Sequence, residues 1–366
     1  MTDLFMLPGS APGFVIYAAF ASLCLLILLL PFIPAYNEWR HPTDVAALPV
    51  TANYSSDIDH FARRLRSDAM AKLGRGPATG YEEFDLLQNF EEGQQPTADV
   101  DMRHAPKRLI ARESIRSAHA LQTSQPLFVD GSVNVGNAAD FSALYCVGDI
   151  ALGEQSHVRD WAHAEGALHM GANGSALRRI SAGQSVELQG GVLFERVHAP
   201  SVHFGKPVSA PVTVDSANFD QSSQLLPGNF ADLPGAVRQT PVLYLIRGDC
   251  VLAPHSLYTK SLIVTGLLTV SEGTTVIGDI KARAGIHMEK SASVRGAVTC
   301  EKTIHLGRQA QAWGPLVSET DIFISSGAVV GLPDALTTVS ALNIIAVSGS
   351  TVHGTVWAHE IGMVKA

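Results

Sequence analysis

Histidine spacing is the first feature of the sequence that could support chemistry. His287 and His305 are separated by three periods of the six-residue repeat described below. Because three periods complete one predicted turn, these two should stack about 4.8 Å apart on the outer surface. Paired imidazoles can bind a metal ion or respond to pH. Thr269 and Phe323 occupy the positions one turn before and after the pair, so no third ligand joins it. We interpret the pair as a solvated ladder and predict no metal site.

Other histidines are less suited to a shared site. His157, His163 and His169 are six residues apart, which places them on successive faces of the predicted repeat, so they point away from one another. His198 and His203 lie just before a long interruption of the repeat, where a general base could serve a subunit cleft. An exposed or turn histidine is the simpler interpretation of both.

Two short motifs suggest an enzymatic alternative. Leu152-Gly-Glu-Gln-Ser156 and Leu306-Gly-Arg-Gln-Ala310 match the [LIV]-G-x-x-[STAV] turn of the hexapeptide-repeat acyltransferases. Most other faces lack the glycine, however, and the interrupting segment carries no histidine. No column of Asp or Glu suits glycosidic cleavage, and nothing resembles a phosphate-binding loop or a dinucleotide fingerprint. We predict no catalytic residue and no cofactor, and keep an acyltransferase as the alternative.

The elements that position these residues follow a six-residue period. Taking every sixth residue from Cys250 to Val330, together with the residue two beyond it, gives 28 positions, of which 25 are apolar. An apolar pair at i and i+2 is the buried face of a short strand, because strand side chains alternate. Three such strands complete a turn of about 18 residues, so we predict an all-β fold, a triangular parallel β-helix whose turns bury their inward side chains on their neighbours.

Aligned turn by turn, similar side chains fall into columns. We predict that the core contains two of them, formed by Cys250, Leu268, Ile286, Ile304 and Ile322 and by Leu252, Val270, Met288, Leu306 and Ile324. Cys250 and Cys300 lie at inward positions, so we interpret them as small buried side chains and not as metal ligands or disulfide partners. Where one face ends, a glycine gives the corner its backbone freedom, and the predicted corner residues are Gly278, Gly296, Gly314 and Gly354.

The period occupies two blocks, and the rest of the chain differs in composition. From Gly13 to Ile33 the sequence is uncharged and long enough to cross a bilayer. The predicted segments are an N-terminal tail at 1–12, a transmembrane helix at 13–36, a juxtamembrane linker with short helices at 37–126, β-solenoid block 1 at 127–205, a proline-rich excursion at 206–243 and β-solenoid block 2 at 244–366.

Charge and the apolar segment together predict a location. The start of the chain lacks the basic residues of a signal peptide, so we expect a retained single-pass helix. Positive residues such as Arg40, Arg63 and Arg64 follow it, which favours an inner-membrane protein with a cytoplasmic solenoid. A periplasmic binding solenoid is the alternative. The net charge of -8 gives no support for a nucleic-acid partner.

One recurring turn resembles a known family. The pattern V-x-G-x-[IV]-x-[AC] begins at Val276, Val294 and Val352 and is similar to that of the bactofilins, which are polymer-forming bacterial cytoskeletal proteins. The resemblance implies a β-helix that polymerises end to end without a nucleotide, lies at the membrane and acts as a scaffold. The implied partners are other copies of the chain, the lipid bilayer and envelope or polysaccharide-synthesis proteins.

The end of the repeat suggests where copies would meet. No amphipathic helix follows Ala358, although solenoids usually cover their last turn because an open strand edge recruits another edge. We therefore expect self-assembly through this end, at Val352, Val356, Trp357 and Ile361.

Overall fold

The structure is a computed structural model that describes residues 13–40, 58–75, 84–87, 102–206 and 225–366. The predicted tail at 1–12 lies outside these residues, as does most of the first half of the predicted excursion. The chain divides into two compact units, Met1–Asn53 and Tyr54–Ala366. Each unit is described separately below.

The first unit contains two helices where the sequence predicts one. Helix α1 spans Gly13–Leu29 and helix α2 spans Phe32–Arg40. Leu30 and Pro31 lie between them. Proline lacks the backbone N–H that a continuing helix needs, and its ring clashes with the preceding turn. Among the helices in the described ranges, none is both long and apolar enough to cross a membrane.

The second unit contains an all-β solenoid of about 13 turns. In its regular part each strand pairs in parallel with the strand three positions later, as β17, β20, β23, β26 and β29 do. Three strands therefore complete one turn and form three faces. Block 2 begins at Leu226 in the structure, within the predicted excursion, because β14 pairs with β18 and β15 with β16. Its strands are β14 Leu226–Pro227, β15 Ala236–Thr240, β16 Leu243–Ile246, β17 Cys250–Leu252, β18 Ser256–Tyr258, β19 Ser261–Val264, β20 Leu267–Val270, β21 Thr275–Val276, β22 Ile280–Ala282, β23 Gly285–Met288, β24 Ser293–Val294, β25 Val298–Cys300, β26 Ile304–Leu306, β27 Gln311–Ala312, β28 Leu316–Ser318, β29 Asp321–Ile324, β30 Val329–Val330, β31 Thr337–Val347 and β32 Ser350–Lys365.

Block 1 is longer and less regular than the sequence predicts. Its turns begin at Arg108 and not at residue 127, and β1 pairs with β2 outside the first turn. The step from Val133 to Ile150 is one residue shorter than the regular turn, and the step from Val186 to Val202 is two residues shorter. The 18-residue spacing is kept between them, from Ile150 through Leu168 to Val186. The strands are β1 Phe84–Leu87, β2 Arg108–Ala111, β3 Ile115–Ser117, β4 Gln122–Thr123, β5 Leu127–Val129, β6 Val133–Val135, β7 Asp140–Cys146, β8 Ile150–Leu152, β9 His157–Ala164, β10 Leu168–Met170, β11 Ser175–Ala182, β12 Ser185–Leu188 and β13 Leu193–Phe204.

The interior of block 2 includes the two predicted columns. Strand register places Cys250, Leu268, Ile286, Ile304 and Ile322 on successive turns, and the second column stacks in the same way. All ten side chains are at most 5% exposed. Each turn buries its inward side chains on the turns before and after it, so the core is continuous along the axis.

Helix α3, His60–Lys72, covers part of one outer face of block 1. Its Ala62, Leu65 and Ala69 pack on Phe128 and Tyr145. Two ion pairs border this contact, from Arg66 to Glu165 at 2.9 Å and from Arg108 to Asp68 at 3.0 Å. The helix therefore belongs to the solenoid unit.

The two blocks meet end to end. Strand β13, the last of block 1, pairs antiparallel with β32, the last of block 2. The pairs Leu193 with Met363, Val197 with Val356 and Val202 with Val352 lie on three different faces, so a whole turn of each block takes part. We call this β13–β32 contact the seam. Both blocks end at the seam. The chain therefore winds towards the seam in block 1 and again in block 2, from opposite sides.

Candidate assembly surfaces at the solenoid ends

The end that the sequence predicts to be open is covered in the structure. Val352 and Val356 are fully buried and pair with Val202 and Val197 of β13. The ring of Trp357 lies 4.8 Å from the Arg196 guanidinium carbon. Strand β31 occupies the other edge of β32, so the expected self-assembly end has no free strand edge. The repeat pattern gives no sign that a strand from block 1 covers this turn.

Ile361, the fourth residue predicted for this end, is 47% exposed. Its Cα lies opposite Asn343 of β31. The β13 register skips from Phe194, opposite Gly362, to Arg196, opposite Trp357. Ile361 therefore sits in an irregular stretch of the seam and projects to the outside.

Histidine–hydroxyl contacts cross the seam. Nδ1 of His198 lies 2.9 Å from Oγ1 of Thr355, and Nδ1 of His203 lies 3.2 Å from Oγ1 of Thr351. In a third contact the hydroxyl belongs to β13 and the imidazole to β32: Oγ of Ser201 lies 3.1 Å from Nδ1 of His353. The two histidines that the sequence assigns to an exposed turn are thus partly buried in the contact between blocks.

Burial changes the titration of these histidines. Desolvation lowers the pKa of His198; Arg196 and His163 act in the same direction, while Asp59 opposes them. Desolvation also lowers the pKa of His203, with His353 acting in the same direction and Glu187 opposing. Both imidazoles are therefore held neutral more strongly than a solvated histidine.

We expect acid to weaken the solenoid through these histidines. A folded-state pKa below the unfolded value of about 6.5 means that the unfolded chain binds more protons, so the free energy of unfolding falls as pH drops through about 6.5. Urea denaturation at pH 7, 6 and 5 measures the effect. In a His198→Gln/His203→Gln variant the decline should be shallower than in the wild type, and equal slopes for the two proteins would contradict the assignment. Burial also lowers the pKa of His163, so some decline should remain.

The outer end of block 2, formed by β14, β15 and β16, exposes apolar side chains, whereas those at the other end are buried in the seam. The ring of Phe230 stacks on Tyr258 at 4.7 Å and contacts Tyr244 at 5.8 Å, which covers the first turn. Around this cap, Leu226, Val242 and Val237 are 67%, 65% and 48% exposed. Within the described residues β15 pairs only with β16, so its other edge is unpaired there.

The stacked histidines of block 2 lie where the sequence places them. Strand register puts His287 beside His305, with ring centroids 5.9 Å apart. His305 stacks on Phe323 at 4.6 Å with nearly parallel rings. Over the part of the chain that the structure describes, no three His, Cys, Asp or Glu side chains group in a way that could hold a metal ion. The ladder is an exposed row of rings.

The three histidines spaced by six residues are separated in space. His157 and His163 contact Ser175 and Ser181, through Nδ1, at 2.8 and 2.7 Å. His169 lies on another face, with Nδ1 3.4 Å from a Glu187 oxygen. A groove of about 480 Å³ runs past His169, Glu187 and the first of the two acyltransferase-like motifs. This groove could not be predicted from the spacing of the histidines, because its lining comes from several turns that strand pairing brings together.

The two acyltransferase-like motifs serve as corners of the coil. Leu152, Ser156, Leu306 and Ala310 are buried inside it. A Cβ on Gly307 would lie 2.6 Å from the carbonyl oxygen of Met288, so the glycine permits close contact between turns. Comparison of the chain with protein-family models, curated proteins and solved structures gave no match.

Proposed function

We propose that the protein is a structural scaffold, similar in role to the bactofilins, whose copies associate through the outer end of block 2. The observation that carries this proposal is the second edge of β15, which has no strand partner among the residues that the structure describes, beside the exposed side chains of Leu226, Val237 and Val242. An open strand edge next to apolar surface is a common site of strand addition. The seam supplies a precedent within the chain, because there two solenoid ends pair strand to strand.

The geometry of the proposed contact follows from symmetry. Each copy presents the same end, so two copies can meet about a two-fold axis with their β15 strands antiparallel. Arg238 lies at the centre of β15, and like charges directly opposite each other are unfavourable. The pairing register should therefore keep the two Arg238 side chains apart. Such a contact joins two rods end to end.

The other proposed partners rest on the helical unit and on the family resemblance. Leu23, Leu26 and Leu28 of α1 are exposed, and exposed apolar side chains in this number favour a lipid surface as the partner of residues 13–40. We propose the cytoplasmic face of the inner membrane as the location, and envelope or polysaccharide-synthesis proteins as the machinery that the scaffold would organise.

A double substitution tests the assembly surface. The full-length wild type in mild detergent should sediment as dimers or larger species, whereas Val237→Lys/Val242→Lys should sediment as a monomer, because two buried charges would face each other across the contact. Leu177→Lys/Leu336→Lys is the matched control, since Leu177 and Leu336 are similarly exposed but lie elsewhere on the solenoid. A wild type that remains monomeric at high concentration would remove the proposal.

A further inference from the structure

The seam joins two ends that fit each other without being continuous in the chain. All three faces of the last turn of block 1 pair with the last turn of block 2. The inward side chains on both sides are apolar and fully buried, among them Val197, Val202, Val352 and Val356. If the blocks separated, each would present an open turn with unpaired strand edges above an exposed core. Such ends bind a matching edge strongly.

The segment that connects the two blocks is long enough for block 1 to pair with block 2 of the same chain or of another chain. Residues 205–225 connect the end of β13 to the start of β14 at Leu226. Extended, this many residues can span about 70 Å. Block 2 contains roughly seven turns spaced by about 4.8 Å, so it is only about 35 Å long. The connection is therefore long enough to reach a block 2 placed on a neighbouring molecule.

We propose that the seam is an exchangeable interface, in which block 1 of one copy pairs with block 2 of a second copy. The exchanged pair keeps every contact of the closed form, including the contact of His198 with Thr355 and that of Trp357 with Arg196. Two reciprocal exchanges give a closed two-fold dimer. The balance between the forms is set by chain concentration, since the contacts are the same in both.

This interface is independent of the outer-end contact proposed above. The outer end of block 2 lies at the opposite end of that block from the seam, and its strands are β14, β15 and β16. An exchanged dimer would form equally well when that end is blocked. The two proposals can therefore fail separately.

Cysteine pairs across the seam distinguish the closed form from the exchanged form. Arg196 and Trp357 are paired positions on antiparallel strands, whose Cα atoms lie about 4.5–5.5 Å apart, within reach of a disulfide. The test protein is the full chain with Arg196→Cys, Trp357→Cys and Cys24→Ser, which removes the exposed native thiol. A closed molecule forms the bond within one chain, and an exchanged dimer forms it between two chains.

The control pair is Thr299→Cys with Val317→Cys, on adjacent turns inside block 2, where exchange cannot bring two chains together. Both proteins are incubated reduced in mild urea at several concentrations, returned to buffer, oxidised and separated on non-reducing denaturing gels. We expect the ratio of disulfide-linked dimer to monomer to rise about tenfold per tenfold concentration for the seam pair, by mass action. The control pair should form its disulfide within one chain and therefore run as a monomer at every concentration.

Two outcomes would overturn the proposal. One is a seam pair that forms only the bond within one chain at every concentration. The other is a control pair that yields as much linked dimer as the seam pair, which would show unspecific contact. Adding Val237→Lys/Val242→Lys to the seam-pair protein separates the two proposals. Loss of the linked dimer in that background would mean that the outer end, and not the seam, had brought the chains together.

Discussion

Replacing Ile304 with aspartate is expected to unfold block 2 or to lower its free energy of unfolding by about 3–5 kcal/mol. Ile304 is fully buried between Ile286 and Ile322 on the neighbouring turns. A carboxylate at this position would have apolar neighbours above and below it and no partner for its charge. Urea denaturation followed by far-ultraviolet circular dichroism measures the change.

The adjacent residue provides the control. His305 lies on the same strand but faces outwards and is exposed. His305→Asp should therefore cost far less than Ile304→Asp, although it removes the ring that stacks on Phe323. If the two variants were equally stable, the assignment of inward and outward positions in block 2 would be wrong.

A second large effect is expected at the stacked glycines. A Cβ on Gly296 would overlap the carbonyl oxygen of Gly278 and lie 2.7 Å from an oxygen of Asp279. On the next turn, a Cβ on Gly314 would lie 2.6 Å from the Gly296 carbonyl carbon. Gly296→Val forces a side chain between two backbones that cannot move apart without breaking the strand pairing beside them. We expect a loss of about 3 kcal/mol of unfolding free energy in urea titrations, at the upper end of what overpacking usually costs.

Gly190→Val is the matched control for this prediction. The nearest atom to a Cβ on Gly190 is the methyl carbon of Ala366, at 3.0 Å. Ala366 is exposed and lies outside the paired strand β32, which ends at Lys365, so it can move aside and the cost should be small. Equal losses in the two variants would show that valine itself, and not the close approach of the turns, destabilises the coil.

Most of block 2 could be predicted because its repeat is local. Each inward position is set by alternation within a strand and by a constant turn length, so Cys250 and Leu268 can be aligned by counting residues. In block 1 counting aligns Ile150, Leu168 and Val186 correctly. It fails on either side of them, since turns that are one or two residues short break the phase while the pairing continues. There the packing, and not the spacing, keeps the side chains in register.

The seam could not be predicted from the repeat. Pairing between β13 and β32 joins strands that are distant in the sequence and run in opposite directions, whereas every regularity in the sequence concerns parallel neighbours one turn apart. His198 and His203 could not be placed for the same reason, because their partners lie on β32. The break at Pro31 had a local signal, since proline rarely continues a helix.

The seam also determines the order in which the protein can be completed during synthesis. Strand β13 ends at Phe204, and its partner begins at Ser350, so β13 leaves the ribosome long before the strand that covers it. At about 5–20 residues per second, this interval lasts roughly 7–30 s. Throughout that time block 1 presents an uncovered strand edge to neighbouring nascent chains. A message truncated before the codons for β32 would produce a chain that cannot cover this edge itself.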